Sequence, residues 1–412
     1  MPPERTTHPS TRLAHLGLGA FHRAHQAWYT HRANAAAEGE DWGIATFTGR
    51  RPDTATALAA QGGVYTLLER DADGDRATLV ESIVAAHDGG DAVTWQAVLA
   101  APEVAVLTVT ITEAGYRGAA PARIAAGLAA RRRAGAGPLA VVACDNLRGN
   151  GRLLRAAVLE AATAADPEGA DWIREQVSFV DTVVDRITPA TTDADRRAVH
   201  ALTGWHDAMP VVAEPFSEWV LAGRFPAGRP GWELAGARFV DDLEPFEQRK
   251  LWLLNAAHSL LAYAGRLRGH ETVDAAFADP ALRDRVERLW EEQRAVIDLP
   301  AADLDSAASA LRLRFANPRI RHSLEQIGRD GTFKLAPRVL DPLERRRAAG
   351  LADGAEQLRV LADWVEYVRR FGPTDAPAST LETAPPGAGA AMAVLAAAAG
   401  ADGVGPPRGA TP

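Results

Sequence analysis

The chain has a single cysteine, Cys144, in 412 residues, so it can build neither an internal disulfide framework nor a CxxC zinc site. One thiol suits a reducing cytoplasm, the expected compartment. Long apolar runs are missing as well. The alanine-rich stretch from Ala390 to Gly400 is too short and too weakly apolar to span a bilayer, and the opening MPPERTTHPS has no apolar core of a secretion signal. Basic charge is not in excess, since the formal net charge is −8. No nucleic-acid face is expected from that balance, and Arg131, Arg132 and Arg133 read as a solvated helix end. Lysine is nearly absent: of 45 lysines and arginines, only Lys250 and Lys334 are lysine. Arginine replaces lysine on most surfaces but cannot lose its proton near neutral pH. The two surviving lysines are therefore candidates for work that arginine cannot do.

What is present points to a globular chain of two domains, 47% hydrophobic and 24% charged. An apolar run, Leu13 to Leu16, leads into Gly17-Leu-Gly19-Ala-Phe21-His22-Arg23 and then a helix to about Ala37. Strand, glycine turn and helix in that order open a dinucleotide-binding βαβ unit. The glycines let the backbone approach a pyrophosphate, and the helix start offers N–H donors. His22 stands where the usual third glycine would be. Glu38, Glu40 and Asp41 precede the second strand (Trp42–Thr48) rather than closing it, whereas Arg50 and Arg51 follow it and suit a 2′-phosphate. NAD is the expected cofactor, with NADP left open. Further strands at 104–112, 139–144 and 177–184 alternate with helices at 121–133 and 152–165, which predicts a largely parallel sheet covered on both faces. From Leu243 the patterns turn helical, at 246–267, 280–297, 302–313 and 355–371. The expected domains are a Rossmann-type α/β domain over 1–241 and a mainly α-helical domain over 242–372. A Pro/Gly/Ala-rich tail over 373–412 is expected to be loosely ordered.

The sharpest cluster is Glu247-Gln-Arg-Lys250-Leu-Trp-Leu-Leu-Asn255-Ala-Ala-His258. At about 100° per residue, Glu247, Lys250, Asn255 and His258 share an arc of roughly 140°, amid leucines. Oxidising an alcohol requires a base for the hydroxyl proton while hydride leaves carbon. A lysine among leucines loses solvation, which favours its neutral amine. Amide donors then steady the developing alkoxide. No metal set is evident, and no tyrosine stands four residues before either lysine, so the Tyr-x-x-x-Lys arrangement of short-chain dehydrogenases is absent.

Six blocks together resemble the polyol-specific long-chain dehydrogenases, the mannitol dehydrogenase family. They are Gly17–Gln26, Thr110–Tyr116, Cys144–Gly151, Val184–Pro189, Glu214–Trp219 and the Lys250 block. The resemblance implies an enzyme that interconverts a sugar alcohol or sugar-acid alcohol and its 2-keto form with a nicotinamide cofactor. In it Lys250 is the general base, Asn146 and Asn255 hold the oxyanion, His258 orients substrate and Glu247 relays protons. Asp185 lies near the cofactor with Gly17, Gly19, Phe21, His22 and Arg23. A cleft between the domains holds the reaction, and the protein is a monomer or weak oligomer with a small-molecule polyol, keto-sugar or keto-acid as its partner. The later stretch His322-x-x-x-Gln326-Ile … Lys334 is more like the fructuronate reductase side of the family, with Gln326 where some mannitol dehydrogenases carry an arginine. Gln326 and Lys334 are thus substrate-binding candidates; Lys334 meets either the substrate or Asp330. The segment between Tyr116 and Leu139 is shorter than in many relatives. Two rival readings are a sugar or nucleotide sensor that keeps the fold without catalysis, and a related two-domain hydroxyacid or hydroxyacyl dehydrogenase.

Overall fold

A computed structural model describes residues 5–39, 41–49 and 51–401; the first four residues, Glu40, Arg50 and the last eleven lie outside them. The chain divides between Leu243 and Glu244 into two compact units.

The strands of the first unit are β1 (Ser10–Leu16), β2 (Trp42–Phe47), β3 (Tyr65–Asp71), β4 (Gly74–Val80), β5 (Ile83–His87), β6 (Val106–Val109), β7 (Leu139–Ala143), β8 (Val177–Asp185), β9 (Val211–Ala213), β10 (Glu218–Ala222) and β11 (Arg238–Phe239). Eight form one sheet in the order β11-β10-β8-β7-β6-β1-β2-β5. Its core pairs are parallel, and β10 runs antiparallel to β8. The central strands β2, β6 and β7 are buried throughout, as parallel strands covered on both faces must be. Successive residues serve opposite faces: Val106, Ala140 and Val142 pack in one core, while Leu107, Leu139 and Val141 pack in the other. From β1 the chain steps to β2 and β5 on one side and to β6, β7 and β8 on the other. That reversal of winding is the switch point beside which doubly wound sheets bind ligands, at the carboxyl ends of their strands.

Two local expectations are corrected here. A second, three-stranded sheet, β4-β3-β9, was not anticipated; its hairpin closes with Asp71 opposite Gly74. Arg131 is not solvated but fully buried. Its guanidinium donates to the carbonyls of Leu99, Ala101, Ala136, Gly137 and Pro138, so it caps the end of helix Ala119–Ala134 and ties down two loops. Five carbonyl partners satisfy a buried cation without a carboxylate.

Beneath the first turn lie two buried imidazoles, His15 on β1 and His22 on helix Ala20–Ala24, stacked 3.3 Å apart. Burial pushes His15 down to about 3. Burial foremost, and then the neighbouring His15 ring, hold His22 well below the usual imidazole range. Both rings are therefore neutral in the folded chain, while unfolded histidines take up protons below about pH 6.5. Stability is thus complete above that pH and falls as pH drops from it, by about 1.4 kcal/mol per pH unit per ring. Between pH 6.5 and pH 5 the pair is expected to cost about 3 kcal/mol. Urea titrations at the two pH values check this, and His22→Phe should lose about half of that dependence.

The second unit is built on one large apolar core containing Trp252, Leu261, Leu289, Trp290, Phe315, Leu335 and Trp364. Helix Ala355–Phe371 has the bounds its pattern predicts. Helix Pro280–Arg294 starts on Asp279, whose carboxylate accepts from the Ala281 amide at 2.9 Å, with proline in the first turn where its missing N–H does no harm. Up to Ala401 the tail is not loosely ordered as expected, and its last eleven residues lie outside the described ones. Pro377–Glu382 forms a 3₁₀ turn and Ala388–Ala401 a helix, with Ala378, Leu381, Ala391 and Leu395 buried in the core. Alanine is the strongest helix former, and Ala391 and Leu395, four apart, give that helix one buried stripe.

Candidate active site

In the first unit, the singled-out blocks follow the carboxyl ends of adjacent strands: Gly17 after β1, Thr110 after β6, Cys144 after β7, while Asp185 ends β8. Gly17 has φ +111, and a Cβ there would collide with the Thr110 carbonyl. The amides of Gly17 and Leu18 both donate to Phe47 O at 2.9 Å. The turn is thus wedged between the ends of β6 and β2, and only glycine fits it. Gly19 precedes the short helix Ala20–Ala24, and a second helix, Gln26–Ala36, follows a break at His25. Phe21 stays half-buried, stacked on His25 at 5.0 Å. His22 and Arg23, expected at the cofactor, turn inward instead. His22 lies flat on His15, and Arg23 donates to the Gly19 and Met209 carbonyls. Helical side chains turn about 100° per residue, and these two adjacent positions both fall on the inner side. Arg51 is exposed.

The loop carrying Asn146 is braced by residues of the singled-out blocks to which the sequence assigned no role. Tyr116 donates its hydroxyl to Asp145, and burial, then the Asp145 charge, push that phenol's pKa up. Asp145 also accepts from the Leu147 amide at 2.9 Å. Asn150, fully buried, donates to Asp145 O and Thr182 O at 3.1 Å and accepts from the Thr182 amide at 2.9 Å. Loop and β8 are therefore clamped by one side chain, leaving Asn146 exposed at the apex. A buried asparagine right after the C-D-N-L-R-G run was the signal available. Asp185 stands opposite Glu218 of β10. Next to it, Arg186 pairs with Glu69 at 2.7 Å and donates to Ala24 O and Glu214 O. The Glu214–Trp219 block is thus framework that holds the Asp185 turn.

In the second unit, the stretch Glu244–Gly265 winds continuously, alternating α and π segments. From Phe246 to Gly265 every residue is buried except Lys250, Leu251 and Asn255, which are half-buried. Lys250–Asn255 is a π-helix, with the Ala256 amide reaching back five residues to Leu251 O. An α-helix would set residues five apart about 140° from each other. The wider π-turn stacks them, so Lys250 and Asn255 share one notch. Side chains meet carbonyls of this irregular turn: Trp290 Nε1 donates to Leu253 O at 2.8 Å, and Ser259 Oγ to Asn255 O at 3.2 Å. Arg338 Nη1 then donates to Ser259 Oγ at 3.1 Å. Glu247 is buried one α-turn before Lys250. His258 is 7% exposed, packed against Phe315 and edge-on to His322 with centroids 4.9 Å apart, and its Nε2 has no partner among the described residues. Burial, then the cationic surroundings of His322, Arg314 and Arg338, keep this ring neutral. A neutral imidazole with one open nitrogen is equipped to bond a hydroxyl. Gln326 is exposed on helix Leu324–Gly328. Lys334 lies 3.8 Å from Asp330 and donates to Ile327 O at 3.3 Å.

Residues 11–234 match the mannitol dehydrogenase Rossmann domain, and residues 242–399 match the mannitol dehydrogenase C-terminal domain. The chain belongs to the mannitol dehydrogenase family. It is 36% identical over 393 residues to the D-mannonate oxidoreductase of Escherichia coli strain K12, covering 87% of this chain and 80% of that one. The crystal structure of a D-sorbitol dehydrogenase in substrate-free form superposes with a TM-score of 0.82 at 28% identity, over 89% and 83% of the two chains. A Pseudomonas fluorescens mannitol 2-dehydrogenase in ternary complex with NAD and D-mannitol gives 0.76 at 33% identity, over 91% and 84%. Membership makes this chain an oxidoreductase with a Rossmann domain followed by a helical one. No helix among the described residues is long and apolar enough to cross a membrane.

Proposed function

We propose that this mannitol-family dehydrogenase uses NAD to interconvert a sugar alcohol, or a sugar-acid alcohol, and its keto form, with Lys250 as general acid and base. The observation that carries this reading is the notch in the Lys250 helix, where only Lys250, Leu251 and Asn255 escape burial. A surface helix shows a broad polar face, whereas this one shows an amine, an amide and a leucine.

The cofactor fits the first unit. Gly17 and Gly19 let backbone come close to a pyrophosphate at the carboxyl end of β1, with Phe21 and Asp185 at the edge of the same region. His22 and Arg23 shape that turn from below. NAD, when bound, supplies the hydride acceptor. The chain's own groups handle the rest of the reaction. Neutral Lys250 Nζ accepts the hydroxyl proton as the C–H electron pair leaves with hydride, and in reduction the ammonium returns that proton to the carbonyl oxygen. The amides of Asn255 and Asn146 steady charge on that oxygen. His258 orients a neighbouring hydroxyl through its open nitrogen, and Glu247 passes the proton on. This proton work needs no metal ion.

A spectrophotometric panel tests the reading by following reduced-nicotinamide absorbance, crossing NAD and NADP with mannitol, arabinitol, sorbitol and mannonate, and the reduced cofactors with fructose and fructuronate. Turnover with NAD on at least one pair is expected. Cofactor binding with silence across the panel would instead favour the sensor reading.

A further inference from the structure

Lys334 and Arg338 stand four residues apart, one on helix Gly331–Leu335 and the other on the π-turn Ala336–Leu340. The two like charges press on each other. Among the described residues, the one carboxylate in ion-pair contact with either is Asp330, and it reaches only Lys334, at 3.8 Å. Arg338 has no carboxylate partner among the described residues. Its Nη1 is anchored on Ser259 Oγ at 3.1 Å and lies 3.4 Å from Asn255 O. Its Nε and Nη2 bond no group among the described residues, although the residue is half-buried. Contrast Arg131, whose three nitrogens all find carbonyls. A half-buried guanidinium beside a lysine, without an anion, is an unfavourable arrangement unless a ligand completes it. The open edge of the guanidinium, Nε with Nη2, is the planar fork that matches a carboxylate through two parallel bonds. The anchored nitrogen places that fork beside Asn255, at the same notch as Lys250. The unpartnered, buried Nε2 of His258 belongs to the same surroundings, since Arg338 acts on that ring.

We infer that Arg338, assisted by Lys334, receives a carboxylate of the substrate, so that this chain prefers a sugar acid to a neutral hexitol. The inference rests on the dehydrogenase reading above and specifies its substrate class. D-Mannonate and D-mannitol are a matched pair for testing it, differing in the carboxylate that replaces one terminal CH₂OH.

The experiment is steady-state kinetics of the full chain with NAD on both compounds, for wild type, Arg338→Gln and Arg338→Lys. Wild type is expected to favour mannonate by about 100-fold in kcat/KM, the worth of a paired charged hydrogen bond. Arg338→Gln should lose about 30-fold on mannonate, carried by KM, and less than about 3-fold on mannitol. Arg338→Lys should recover part of that loss. Equal losses on the two substrates would reduce Arg338 to a brace for Ser259 and overturn the inference. So would a wild-type preference for mannitol, a result that holds even if a variant fails to fold. Absence of turnover on both compounds, with the panel silent as well, would take down the dehydrogenase reading itself.

Discussion

Lys250→Ala is expected to lower turnover by about 10³-fold or more while leaving NADH affinity within a factor of about two. The size follows from the division of labour at the notch. Lys250 and Asn255 are its polar groups, and of the two only the amine can take and return a proton. Removing it leaves hydride transfer without a base, whereas the glycine turn proposed for the cofactor belongs to the other unit. Lys250→Arg should be as inactive, because the guanidinium keeps its charge at any working pH. This pair of variants separates a charge requirement from a proton requirement. Single-turnover hydride transfer followed by stopped flow is the measurement. Retention of more than a tenth of wild-type turnover in either variant would remove Lys250 from the base role.

Gly17→Ala is expected to cost at least about 3 kcal/mol of stability, and Gly19→Ala almost none. The two glycines look alike in sequence but differ in structure. Gly17 takes φ +111 with its Cβ direction closed by the Thr110 carbonyl. Relief would require β1 and β6 to separate, and they are hydrogen-bonded neighbours at the centre of the sheet. Gly19 has extended backbone at φ −141, and a Cβ there would meet nothing nearer than Gly17 O at 3.6 Å. Its expected loss is instead in cofactor affinity, by about tenfold, because a methyl would stand where the pyrophosphate approaches. Urea denaturation and NADH fluorescence titration read the two effects separately. Gly17→Ala within about 1 kcal/mol of wild type would mean that the wedge is not rigid.

The sequence made visible the features that depend on composition and local spacing. The glycine turn after β1, the parallel strands as unbroken apolar runs, and the Lys250 helix as polar residues among leucines all follow from period and residue type. What stayed hidden depends on where the chain returns upon itself. His22 and Arg23 belong to a cofactor-facing motif by position, yet His22 is buried against a residue seven places earlier and Arg23 meets Met209. Arg131 reads as solvated in a run of three arginines, but the carbonyls that claim it come from two loops. The Ala388–Ala401 helix was hidden because proline and glycine around it suggested disorder, whereas alanine needs only a shallow surface to pack on. Arg338 drew no notice among so many arginines. Its distinction is the missing anion, which no sequence pattern records.

The π-turn at Lys250 has a consequence for how this family tolerates changes in length. A single π-turn is what an α-helix becomes when one residue is inserted and the helix beyond is held in place by its packing. Here the downstream residues Leu260, Leu261 and Tyr263 are locked in the core, so they cannot rotate to absorb a change. Deleting one residue between Lys250 and Asn255 would restore an ordinary helix and give the backbone its regular ladder. It would also leave Lys250 and Asn255 four apart, about 40° from each other and still on one face, whereas an α-helix of unchanged length would set them about 140° apart. A one-residue deletion at this turn should therefore be tolerated better than one elsewhere in the helix, where the locked residues beyond it would have to rotate by about 100°.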